Sequence, residues 1–86
     1  MVRGLEADVS AIGPHKLDAL RAIDNYQRTS EFADAWLIRH GYPEKQADRL
    51  LDRIMDGRLA ECGVSTRTGW LLPEGRRLLE AANAKQ

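Results

Sequence analysis

Lys45, Arg49 and Arg53 recur at i, i+4 and i+8, a spacing that lines one edge of an α-helix, and Gln46 sits beside them. Basic side chains neutralise phosphates, an arginine fork matches the major-groove edge of guanine, and a glutamine amide matches adenine. That chemistry assigns Arg49 and Gln46 to base edges, and Lys45 and Arg53 to phosphates. A parallel run of Glu44, Asp48, Asp52 and Asp56 stands next to the basic one. Lys45–Asp48, Arg49–Asp52 and Arg53–Asp56 are then opposite pairs at i, i+3, each expected to contribute roughly 0.3 kcal/mol. A self-neutralised, solvated face is the plain alternative to a groove-reading one. A mixed face that meets a protein with complementary charge stripes is a third reading.

Other chemistry finds little support. His15, His40 and Cys62 fall on three different elements, without short ligand spacing or a nucleophile motif, so neither an enzyme nor a metal or cofactor site is expected. The seven glycines are scattered as punctuation and form no phosphate-cradling loop. Thirteen basic and thirteen acidic residues cancel, so attraction to nucleic acid must come from local asymmetry. Four carboxylates beside the basic edge should keep affinity modest and strongly salt-dependent.

A chain of 86 residues, 43% hydrophobic and 30% charged, suits one soluble domain with a single small core. Cys62 is the only cysteine, which rules out an intrachain disulfide and makes a reducing compartment the default. The first residues lack the apolar run of a signal peptide and no stretch reaches transmembrane length, so a cytoplasmic protein without membrane contact is expected.

All three prolines fall where a helix can begin. Gly13-Pro14 precedes an amphipathic run with Leu17, Leu20, Ile23 and Tyr26 on one side. Ser30 is the expected N-cap of the next helix, with Glu31 and Asp34 in its first turn. Phe32, Ala35, Trp36 and Ile38 are its expected core residues, and Gly41 its end. Pro43 opens a third helix whose stripe is Ala47, Leu50, Leu51, Ile54 and Met55, closed by Gly57. Residues 59–62 and 70–72 read as short strands joined by a Gly- and Thr-containing loop. Pro73 opens a last helix that buries Leu78, Leu79 and Ala82. Residues 81–86 are expected to fray. Leu5, Val9 and Ile12 either form a helical turn that docks on the core or belong to a loose arm.

From Pro43 to Leu79 this order of elements resembles the winged helix-turn-helix of bacterial MarR- and PadR-type regulators. The resemblance is carried by Ala47-Asp48-Arg49-Leu50-Leu51-Asp52-Arg53-Ile54, by Gly57-Arg58-Leu59, and by Trp70-Leu71-Leu72-Pro73-Glu74-Gly75-Arg76-Arg77-Leu78-Leu79. It implies a mainly α fold with a small β-hairpin over residues 14–82: a three-helix core, a two-stranded wing and a closing C-terminal helix. An N-terminal arm or short helix (1–13) would precede it, and a frayed tail (83–86) would follow. It further implies a small prokaryotic or phage-type transcription regulator, a homodimer occupying an operator in double-stranded DNA. The recognition helix would be about 43–56 and the wing about 59–72. Arg67, near the hairpin tip, would enter the minor groove while Thr66 and Thr68 reach phosphates.

Two positions depart from the pattern. Leu72 replaces the threonine that normally caps the last helix, a loss of roughly 1 kcal/mol. Pro43-Glu44-Lys45-Gln46 brings an acid to the start of the recognition helix. If Leu71 points inward, Trp70 is partly exposed and forms a small apolar patch with Leu72, fit for a dimer or partner interface. Otherwise Trp70 covers the edge of the core, where Trp36 also belongs. The rival class is therefore a winged-helix protein-interaction module, such as a phage-encoded inhibitor or adaptor. Zero net charge, the acidic run and the Trp70–Leu72 patch support it.

Overall fold

Among the described residues, four helices and one hairpin follow each other as α1 (Arg3–Thr29), α2 (Ala33–Arg39), α3 (Glu44–Ile54), β1 (Ala60–Cys62), β2 (Gly69–Leu71) and α4 (Pro73–Ala84). This computed structural model describes the backbone of residues 3–84 and the side chains of residues 13–84. Leu5, Val9 and Ile12 carry side chains outside the described residues. α1 is two helices run together: Gly13 takes φ 82° and ψ 161°, which favours glycine, and Pro14 starts the second half. That half buries Ala19, Leu20, Ala22 and Ile23, with Leu17 packed alongside. It contacts α2, α3, α4 and β2, so it is the post around which the chain folds.

The second helix differs from the expectation. Ser30 does not cap it. Its backbone is left-handed (φ 68°) and its N–H donates to the Tyr26 carbonyl at 2.8 Å, which ends α1 instead. α2 therefore begins at Ala33, after Phe32, without a side-chain cap. The later start rotates its inward face, so Ala33 and Leu37 are buried while Phe32 and Ile38 are 48% and 43% exposed. Ala35 is exposed as well, and Trp36 is half-buried against the core with His40 stacked on it at 3.7 Å. Glu31 lies ahead of the helix and receives both Arg39 Nε (3.0 Å) and Arg39 Nη2 (2.9 Å).

α3 buries Ala47, Leu50, Leu51 and Ile54, and Met55 packs against the core just beyond its end. Asp56 leaves the helical stripe. Its Oδ1 accepts the N–H groups of Arg58 (2.9 Å) and Leu59 (3.1 Å), turning the chain into β1. Partial burial pushes its pKa up, but those N–H bonds outweigh it and hold the carboxyl below its usual range.

The strands pair antiparallel as Ala60↔Leu71, Glu61↔Trp70 and Cys62↔Gly69. The Leu72 N–H donates to the Leu59 carbonyl at 3.0 Å and prolongs the ladder by one step. Leu59, Ala60 and Leu71 point into the core. On the outer side of β2, Gln27 Oε1 accepts the Leu71 N–H at 3.0 Å, and Arg76 Nη1 reaches Asp24 at 2.8 Å. These bonds close the open strand edge against α1 and α4.

Leu72 offers no capping oxygen to α4, but its carbonyl accepts the Arg76 N–H at 2.9 Å. Gly75 lies against the Leu59 carbonyl so closely that a Cβ would overlap it. Leu78, Leu79 and Ala82 are buried, as their spacing predicts, and the helix runs on to Ala84, while residues 85–86 lie outside the described residues. Among the described residues no helix is long and apolar enough to cross a membrane.

Candidate nucleic-acid interface

The buried stripe of α3 leaves Lys45, Gln46, Arg49 and Arg53 exposed on one flank, and Glu44, Asp48 and Asp52 on the other. The expected i, i+3 ion pairs do not form. Among the described residues no carboxylate comes within ion-pairing distance of Lys45, Arg49 or Arg53. On a fully solvated face such a pair offers at most about 0.5 kcal/mol, which water and side-chain entropy offset. Asp56 is moreover committed to its turn.

Most other cations behave differently. Arg21–Asp18, Arg28–Asp24, Arg39–Glu31, Arg58–Glu74, Arg67–Asp34 and Arg76–Asp24 all pair, at 2.7 to 3.6 Å. Lys16 joins the α3 residues in having no such partner among the described residues. Lys16 also shares a space with them. Gln46, Arg49, Leu50 and Arg53 from α3, with Gly13, Pro14, His15 and Lys16 from the kink of α1, line a cavity of about 440 Å³. A chain with no net charge thus carries a local positive field where these two elements meet.

A hydrogen-bonded chain fixes that junction. The Tyr42 hydroxyl donates to Asp18 Oδ2 at 2.6 Å, and His15 Nδ1 lies 3.0 Å from the same hydroxyl. The one hydroxyl proton goes to Asp18, so His15 Nδ1 is the donor to Tyr42. Burial, then the bond to Asp18 and its charge, push the Tyr42 pKa up to about 12. Reading the sequence missed Lys16 and this chain, and gave His15 no role, because Tyr42 and Asp18 share no local motif.

The hairpin residues are placed otherwise. Arg67 Nε stands 3.6 Å from Asp34, and the Arg67 carbonyl accepts the Ala33 N–H at 3.0 Å, so this part of the loop lies against the start of α2. Thr68 Oγ1 donates to the Ser65 carbonyl at 3.3 Å, and Thr66 and Thr68 are both half-buried. Val64, in the same loop, is 99% exposed. Trp70 is 41% exposed on the outer hairpin face opposite Glu61, while Leu72 is half-buried. His40 Nδ1 is within 2.8 Å of the Trp36 carbonyl, on a different element from His15 and Cys62.

No protein family, curated protein or solved structure matches the chain.

Proposed function

We propose that the chain is a winged helix-turn-helix and that it binds duplex DNA through the basic flank of α3. The observation that carries this reading is the set of cations without ion-pair partners among the described residues. Three of them, Lys45, Arg49 and Arg53, share one flank of one helix. At 100° per residue they span an arc of about 80°, and the centre of the acidic run on the helix is displaced from theirs by about 100°. The helix can therefore present its basic flank to a groove with the carboxylates turned aside. Its 11 residues make a rod long enough, at about 16 Å, to cross roughly five base pairs.

In this reading Arg49 and Gln46 meet base edges, while Lys45 and Arg53 meet phosphates. Arg67 exchanges its solvated pair with Asp34, worth at most about 1 kcal/mol, for a phosphate or the minor groove. A homodimer occupying two half-sites of an operator, as a transcription regulator does, supplies the surface that one such small module lacks.

The test is fluorescence anisotropy with labelled random duplex DNA at two salt concentrations. Binding in the range of about 10⁻⁴ to 10⁻⁶ M, falling with a log–log slope of about −3, is expected. Alanine at Lys45, Arg49 and Arg53 together should abolish it. Absence of binding at low salt would remove the reading.

The outward Trp70 favours a second reading, a protein-interaction module. Under it, Trp70→Ser disrupts complex formation, and the α3 alanine substitutions matter little.

A further inference from the structure

We propose that the cavity between the kink of α1 and α3 is a binding site for a small organic anion, a phosphate or carboxylate carried on a compact apolar body. Lys16, Arg49 and Arg53 line one space from two separate elements, and none has a carboxylate partner among the described residues. Like charges around one space repel one another, and an anion among them relieves that repulsion. The chain does not lack acids for this purpose. Glu44, Asp48 and Asp52 stand exposed on the same helix, yet among the described residues no carboxylate contributes to the lining.

The rest of the lining gives the ligand its shape. Leu50, only 9% exposed, and the Pro14 ring supply apolar surface, and the Gln46 amide adds a neutral donor. A volume of about 440 Å³ far exceeds one phosphate group, and it falls within the size range of small-molecule sites. Two arginine forks and one lysine suit a multiply charged headgroup, held by charge-assisted hydrogen bonds. The Asp18–Tyr42–His15 chain braces one wall by fixing α1 to the turn before α3. Arg49 and Arg53 also belong to the proposed DNA-binding flank, so DNA and such an anion would exclude each other there. The site itself does not depend on the DNA reading.

The full chain, without DNA, is titrated with phenyl phosphate and followed by ¹H–¹⁵N spectra at constant ionic strength, beside inorganic phosphate, benzoate and neutral phenol. Saturable shifts at Gly13, His15, Lys16 and residues 46–53 are expected, with phenyl phosphate or benzoate binding about tenfold tighter than inorganic phosphate or phenol. Whichever of phenyl phosphate and benzoate binds tighter identifies the headgroup. Lys16→Gln and Arg53→Gln should each weaken binding by about fivefold or more, and Lys45→Gln, on the same flank but outside the lining, should leave it unchanged. All three positions are exposed, and unchanged thermal melting verifies the fold. Shifts that never saturate at millimolar ligand, equal weakening by Lys45→Gln, or inorganic phosphate binding as tightly as the organic anions would each overturn the proposal.

Discussion

Asp18 is a single carboxylate that accepts from both Tyr42 (2.6 Å) and Arg21 (3.1 Å), and through Tyr42 it reaches His15. The consequence is testable by pH. The folded state holds the Tyr42 pKa near 12, above its ordinary 10.0, so the folded form keeps a proton that the unfolded chain loses. This contribution is complete below pH 10.0 and is lost as the pH rises toward 12. Urea melts on either side of that window should show the decline, and Tyr42→Phe should flatten it. At neutral pH the same substitution should cost about 1 kcal/mol for the missing hydrogen bond. Charge reversal on α3 is a second prediction at this scale. Asp48→Lys, on the acidic flank, should tighten DNA binding and steepen its salt slope by up to about one unit, measured by the same anisotropy titration.

Single contacts decide how whole elements are placed. α4 approaches the hairpin closely because Gly75 presents no Cβ to the Leu59 carbonyl. Gly75→Ala should therefore push α4 off β1 and cost about 1–3 kcal/mol, although alanine is the better helix former elsewhere. A fall in the urea midpoint checks this, and a midpoint that rises would show that the close approach does not govern the packing. Gln27 has a comparable role at the other edge of the hairpin, where its side-chain oxygen takes up the Leu71 N–H and stands 3.4 Å from Arg76 Nη2. Gln27→Leu should leave that N–H without its partner, at a cost of about 1–2 kcal/mol, and speed amide exchange at Leu71.

At the scale of the molecule, one core joins α1, α2, α3, the hairpin and α4, within a radius of gyration of 12.2 Å. A domain of 86 residues has a net stability of about 4–13 kcal/mol. Leu37 and Leu51 are fully buried, and truncating either to alanine should cost about 2–5 kcal/mol, a large share of that total. Thermal melts should show the loss as a single cooperative transition displaced to lower temperature. Trp70→Ser, on the outer face, should shift the melt far less. A large shift from Trp70→Ser would mean that the ring supports the core or a partner copy.

Local patterns determined much of this architecture. The stripe of α3 was legible because Ala47, Leu50, Leu51 and Ile54 repeat at the helical period between Pro43 and Gly57, a signal that needs no distant partner. The start of α4 at Pro73 followed from an equally local rule, whereas strand alternation left open which of Leu71 and Trp70 faces the core, and packing turned Leu71 inward. Only the tertiary structure decided the phase of α2. Ser30 had the right chemistry for a cap, but α1 continued to Thr29 and took Ser30 as its own terminus, which turned Phe32 and Ile38 outward. The same holds for the candidate site. Its basic flank can be read from charge spacing, whereas Lys16, the cavity and the Tyr42–Asp18 bond depend on how α1 packs across α3. Helical periodicity is a property of neighbouring residues. Which charges find partners, and which are left facing a cavity, is settled only when distant segments come together.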